Sequence, residues 1–172
     1  MQVDSVKDIS PFVADLNEIL VETVAAGASI GFLPPVAPER ADAYWQFVQN
    51  AVYSGERLIF IAHEEGRAYG VVQLRLTQKG NGVHRGEVEK LMVHPNSRGH
   101  GIGHKLMVAL EHKAWEIGRT LILLDTRRGD VADGLYGRMG YTRFGIVPAF
   151  TIDSDGTKHD TCFFYKQLSP SK

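Results

Sequence analysis

The 172-residue sequence predicts a single α/β domain of the mixed (α+β) kind, in which helices cover a mixed sheet. Three observations predict it. Apolar residues recur at helical spacing as far as Val52, strand-like runs begin at Arg57, and an apolar strand at residues 91–93 passes through a turn into a glycine-rich helix start. With 44% hydrophobic residues the chain can bury one sizeable core, and no linker divides it.

Residues 2–6 suit a short first strand. Pro11 then opens a helix that carries Phe12, Leu16, Ile19, Leu20 and Val24 on one face, and Gly27 ends it. After the break at residues 31–35, a second helix from Pro38 to about Val52 turns Ala41, Tyr44, Trp45, Val48 and Val52 inward. The apolar run at residues 58–62 and the run at 69–77 flank the turn Glu64-Glu65-Gly66-Arg67, which reads as an antiparallel hairpin. A polar loop with glycines at 80, 82 and 86 leads into a strand at 87–93. The third helix runs from about Gly101 to Ile117 with Leu106, Leu110 and Trp115 turned inward, and Gly118 stops it. A buried strand at 120–125, a short helix from 130 or 131 to 139 and a break at Gly140-Tyr141 follow. Two last strands, near 141–150 and 160–168, are joined by the turn Asp153-Ser154-Asp155-Gly156.

Composition excludes several classes of function. A net charge of −1 offers no global field for nucleic acid or an anionic membrane, so an anionic ligand must be held by a local cluster. No run reaches the apolar length of a membrane span, and the polar start of the chain lacks a signal-peptide core. The single cysteine, Cys162, excludes an intramolecular disulfide and fits a buried strand thiol in a reducing cytoplasm. The expectation is a cytoplasmic protein with no nucleic-acid or membrane partner; the final strands leave homodimerisation open.

The chemistry concentrates after Leu91-Met92-Val93. Arg98 is followed by Gly101 and Gly103, a spacing that lets main chain rather than side chains wrap a diphosphate at a helix N-terminus. Gly99 lies in the same turn. A dinucleotide fingerprint would need glycine where His104 stands, and a nucleotide P-loop would need Gly-Lys-Ser/Thr, which the sequence lacks. N–H groups from Arg98 through Gly99, His100, Gly101, Ile102 and Gly103 are the expected phosphate donors, with Arg98, His100, His104 and Lys105 adding positive charge. His100 and His104 have the i, i+4 spacing of a metal-ligand pair, but no further ligand accompanies them and no metal is expected. On the preceding strand, alternation puts Glu87 and Glu89 on one face with Leu91 and Val93; either carboxylate could instead pair with Arg75 or Arg85.

The pattern Arg-x-x-Gly-x-Gly after an apolar strand resembles the pyrophosphate loop of the GNAT superfamily of acetyl-coenzyme A dependent N-acetyltransferases. So does Leu135-Tyr136-Gly137-Arg138-Met139-Gly140-Tyr141, which resembles that superfamily's Leu-Tyr-x-x-x-Gly-Phe/Tyr segment. The resemblance implies a mostly antiparallel sheet of six to seven strands with helices on both faces and a splay between the fourth and fifth. It implies acetyl-CoA as cosubstrate, with the backbone of Leu91, Met92 and Val93 along the pantetheine arm and Arg138 near the adenosine phosphate. It implies Glu87 as general base and Tyr136 facing the coenzyme sulfur, and direct attack by a primary amine. Stretches at 27–32, 78–93 and 124–126 are further similar to tabtoxin-resistance members of the superfamily, which acetylate a small β-lactam dipeptide toxin. That likeness implies a small amine acceptor, a toxin or antibiotic among the candidates, with Asn81, Glu89, Asp125 and Tyr141 as its contacts. A protein or peptide N-acetyltransferase is the alternative acceptor class, and a non-catalytic coenzyme A binding or sensing module is the alternative of another kind.

Overall fold

The strand-forming runs lie side by side in one seven-stranded sheet, which the computed structural model describes over residues 1–169. In chain order the elements are β1 (Gln2–Val6), α1 (Val13–Ala25), α2 (Pro38–Tyr53), β2 (Arg57–Glu64), β3 (Arg67–Leu76), β4 (Arg85–Val93), α3 (Ile102–Glu116), β5 (Leu121–Arg127), α4 (Val131–Arg138), β6 (Thr142–Ile152) and β7 (Lys158–Gln167). The sheet order is β1-β2-β3-β4-β5-β7-β6, and only β4 and β5 run parallel. A hairpin cannot join parallel strands, so the chain crosses between them through α3.

Strand alternation sorts the core into two layers. Ile59 and Ile61 of β2 pack with Leu16 and Leu20 of α1 and with Trp45 and Val48 of α2. Phe60 and Ala62, one residue out of phase, pack with Leu106 and Leu110 of α3 on the opposite face. The predicted inward position of Trp115 is wrong: it is 37% exposed, and Ala114 is the buried residue, because a stripe through Leu106 and Leu110 reaches 114 at the next turn.

Two irregularities position the site. First, β4 and β5 pair only where Arg85, Gly86 and Glu87 face Leu121, Ile122 and Leu123. Beyond that point the strands diverge, as the splay between the fourth and fifth strands requires. The β5-facing edge of β4 from residue 88 onward is left without strand partners.

Second, the register of β4 against β3 slips between Glu89, opposite Gln73, and Met92, opposite Val71. Lys90 adopts a left-handed φ of 53°, which makes this a β-bulge with two β4 residues facing one of β3. The bulge overturns the expectation that Glu87 and Glu89 share a face with Leu91 and Val93. Val88, Leu91 and Val93 pack on the α3 side, and Met92 joins the α1–α2 side. Glu87 and Glu89 precede the bulge and therefore point to the α1–α2 side, opposite Val88.

Candidate active site

The phosphate-loop candidates lie where β4 ends. His94 starts a 3-10 turn (Pro95–Ser97), accepting from the Asn96 N–H at 3.2 Å while its other ring nitrogen lies 3.2 Å from Glu18 of α1. Arg98 bends back to donate from Nε to the Val93 carbonyl at 3.2 Å, and His100 leans 3.3 Å from the Ser97 carbonyl. Gly99 (φ 82°) and Gly101 (φ 75°) make the left-handed steps that swing the chain into α3, conformations that a side chain would strain. Lys105 N–H, donating to the Gly101 carbonyl at 3.1 Å, is the first amide that the helix itself uses. Among the described residues, the amides of Gly99, His100, Gly101, Ile102, Gly103 and His104 donate to no protein acceptor. Six such donors converge at the positive end of a 15-residue helix, an arrangement that fits a diphosphate.

The same first turn lies over the splay. A Cβ at Gly103 would sit 3.6 Å from Leu135 of α4, 3.8 Å from Val93 and 4.0 Å from Leu91, so α3 reaches both strand and α4 without a side chain between them. From this loop an apolar wall of Leu91, Val93 and Leu135 runs along the open edge of β4. That edge at Leu91 to Val93 has no strand partner, its Val93 carbonyl being held by Arg98, and it suits an extended arm that pairs like an added strand. Arg138 is exposed at the C-terminal end of α4, and Lys105 and His104 are exposed on the first turns of α3.

The other side of the splay is charged. Glu89 accepts from Arg75 Nε at 2.9 Å and from Arg57 Nη1 at 2.6 Å, so both its oxygens are engaged. Arg57 also donates to Gln73, whose amide reaches the Tyr44 hydroxyl at 2.9 Å. Glu87 pairs through Oε2 with Arg75 and keeps Oε1 uncommitted. Asp125 of β5, two residues past the last position paired with β4, has a carboxylate that forms no hydrogen bond or ion pair among the described residues. Partial burial of its carboxyl raises it from its ordinary value, as does the Glu87 charge, against the opposing pull of Lys90 and with a smaller push from Glu89.

Lys90 is the residue that sequence reasoning missed. The bulge turns it under the α1–α2 loop, where its Nζ lies 3.3 Å from the position a Cβ would take on Gly31. Burial pushes its ammonium below the usual lysine value, with Glu89 opposing, Arg57 adding to the depression and Asp125 opposing. A bulge has no signature in a run of strand residues, so only the register reveals it.

The two tyrosines separate. Tyr136 of α4 is 4% exposed, packs 5.9 Å from Phe164 and 5.7 Å from Tyr141, and has its phenol raised above its ordinary value by burial and by the Asp125 charge across the splay. Tyr141 does not meet the expectation of a substrate contact. It is 6% exposed, its buried hydroxyl lacks a hydrogen-bond partner, and Lys166 stands 5.4 Å over its ring. Its neighbours are the core and Glu111 of α3 rather than the cleft, because residue 141 precedes β6 at the turn that follows α4. Asn81 is also set apart: it is exposed in the turn Gly80–Gly82, which precedes the first residue of β4, Arg85, whereas Glu89 lies in the middle of that strand. Among the described residues no group of His, Cys, Asp and Glu side chains is arranged to hold a metal. No described helix is long and apolar enough to cross a membrane.

Known proteins share this fold. Residues 21–141 match the model of the acetyltransferase (GNAT) family. Over 115 residues, which are 66% of this chain and 67% of the other, the sequence is 30% identical to an uncharacterized N-acetyltransferase in the hisH-hisA intergenic region of Azospirillum brasilense. The fold is that of ribosomal-protein-alanine N-acetyltransferase from Brucella melitensis, with a TM-score of 0.81 at 21% identity, covering 98% of this chain and 100% of that one. It is equally that of yncA from Salmonella typhimurium, solved with its cofactor acetyl-CoA, with a TM-score of 0.80 at 20% identity, covering 99% of this chain and 95% of that one. The chain therefore belongs to the acetyltransferase (GNAT) family as an acetyl-CoA dependent N-acetyltransferase.

Proposed function

We propose that this enzyme, acting as one domain over residues 1–172, acetylates a primary amine of a small molecule by direct attack in a ternary complex. The observation that carries the reading is the two-sided splay: unclaimed amides and an apolar edge on the α3 side, and a cluster of charges on the α1–α2 side. Acetyl-CoA supplies an activated thioester when bound. The amides of residues 99–104, with Arg98, His100, His104 and Lys105, hold its diphosphate; the edge of Leu91, Met92 and Val93 aligns its arm; Arg138 stands by its adenosine phosphate. A backbone N–H of the splayed edge polarises the acyl carbonyl.

From the α1–α2 side, Glu87 takes the amine's proton on Oε1 while Arg75 fixes Oε2. Glu89, with both oxygens engaged, positions Arg57 and Arg75 rather than meeting the acceptor directly. Asp125 receives the incoming ammonium. Tyr136 keeps its proton because its phenol is raised, so it stabilises the departing thiolate by hydrogen bonding, and the second proton lost by the nitrogen as the amide forms passes through water to the thiolate. A toxin or antibiotic is the acceptor that the sequence resemblance at residues 27–32, 78–93 and 124–126 favours, and the single cysteine, Cys162, favours a reducing cytoplasm. A homodimer through the last strands is supported by Phe144, Ile146, Val147, Phe150 and Ile152, all large, apolar and exposed on the edge strand β6. Sedimentation at two concentrations reads it: a dimer that Phe150→Asp dissociates is expected, and a monomer throughout contradicts it.

The function itself is tested by thiol release from acetyl-CoA against small amines, amino acids and peptides. Release with small amines and none with peptides is expected. Release with peptides alone would select a protein acceptor, and tight acetyl-CoA binding without release across the panel would select a binding module.

A further inference from the structure

We propose that the acceptor is a small zwitterion, an amine that also bears a carboxylate, and that Lys90 receives the carboxylate while Asp125 receives the ammonium. The inference rests on the acetyl-transfer reading above and narrows its substrate class. Its basis is a charge census of the α1–α2 side of the splay. Three cations (Arg57, Arg75, Lys90) and three carboxylates (Glu87, Glu89, Asp125) gather there. Four of the six satisfy one another: Arg57 with Glu89, and Arg75 with both Glu87 and Glu89. Lys90 and Asp125 are left over, one of each sign. They are near enough for each to disturb the other's titration, yet they form no ion pair among the described residues.

Lys90, half-buried without a counter-ion among the described residues, gains from a ligand carboxylate, and Asp125, exposed and likewise without a side-chain partner, is open to a ligand ammonium. A zwitterion supplies both with its own pair of charges; a simple amine would leave Lys90 without a counter-ion, and a polycation would meet it with repulsion. The backbone supports a dedicated role for Lys90. A left-handed φ of 53° is uncommon for lysine, and here it turns the side chain off the regular alternation of β4 and under the α1–α2 loop. The loop makes room for it with Gly31, itself left-handed at φ 83°, where any side chain would crowd the ammonium. Arg127, at the end of β5, fixes the start of that loop by donating to the Gly27 carbonyl at 2.7 Å, so the roof over Lys90 is tied to the strand that carries Asp125.

The test compares each of the common L-amino acids with its own carboxamide, in thiol release and in thermal shift with coenzyme A present. For wild type, at least one amino acid should be acetylated with kcat/KM tenfold or more above its amide, and that amino acid should raise Tm. Lys90→Gln should lose tenfold or more on the amino acid, mainly through KM, with little change on the amide and none in acetyl-CoA affinity. Lys90→Met, which keeps length and packing, should behave alike and guards against misfolding. Equal use of acids and amides by wild type would overturn the proposal while leaving acetyl transfer intact. So would an equal loss on both in the variants, or the absence of any amino-acid thermal shift. Failure of thiol release with every amine would instead sink the acetyl-transfer reading, and the thermal shifts would still decide whether Lys90 and Asp125 hold a zwitterion.

Discussion

The loop after β4 and the cleft beside it flank the same strand, but the loop is built from main chain and the cleft from side chains. In the loop, specificity is a matter of φ angles and unclaimed N–H groups, and the side chains of His100, His104 and Lys105 only add charge. In the cleft the backbone matters once, at the Lys90 bulge, and the remainder is a network of carboxylates and guanidinia. The difference teaches why one strand can serve a fixed donor and a variable acceptor. Main-chain donors recognise a diphosphate whatever the neighbouring side chains are, whereas the cleft can change acceptor by changing a few residues.

The largest effect should come from breaking the main-chain half. Gly101→Asp places a side chain at φ 75° and a negative charge among the phosphate donors, so acetyl-CoA affinity should fall by about 100-fold or more. Calorimetry with unchanged affinity would contradict this. In the side-chain half, Glu87→Gln should lower kcat by roughly 100-fold, with the greatest loss at low pH, where the amine most needs to surrender a proton. A wild-type pH profile in the variant would remove Glu87 from the base role.

Which half can be read from sequence follows from the same contrast. Arg98, Gly101 and Gly103 announce a phosphate loop because glycine spacing encodes backbone conformation directly. The inward faces of α1, α2 and α3 were equally readable from their helical periods, apart from Trp115 at the end of α3, whereas the apolar run of β2 did not show how it divides between two layers. The cleft was not readable, because its geometry turns on a bulge that no residue type advertises. Strict alternation put Glu87 on the side of Leu91; one extra residue in β4 separated them. Tyr141 misled for a related reason: it stands in a segment that resembles the family's, but its hydroxyl is buried in the core near Glu111.

Smaller effects sharpen the contrast. Tyr136→Phe should cut kcat by about 10- to 100-fold through one lost hydrogen bond to a charged sulfur, leaving acetyl-CoA affinity near wild type. Unchanged turnover would return Tyr136 to packing alone. Asp125→Asn should raise Tm of the ligand-free enzyme at pH 7. Because the folded state raises the Asp125 carboxyl, ionisation there costs stability above that raised value; the variant's advantage should shrink as pH falls through it and vanish below the ordinary aspartate range. An advantage independent of pH would contradict the assignment. Smallest of all, Tyr141→Phe should leave KM for the acceptor unchanged, since its hydroxyl is buried in the core, and a raised KM would restore it to the cleft.

The most direct measurement is amide resolved: backbone resonances of residues 99–104 followed by NMR while acetyl-CoA is added. Saturable shifts and slowed hydrogen exchange at these amides, larger than at Glu87 or Glu89, are the predicted result. Acetyl-CoA that binds while these amides neither shift nor gain protection would contradict the claim that main chain at the start of α3 holds the diphosphate.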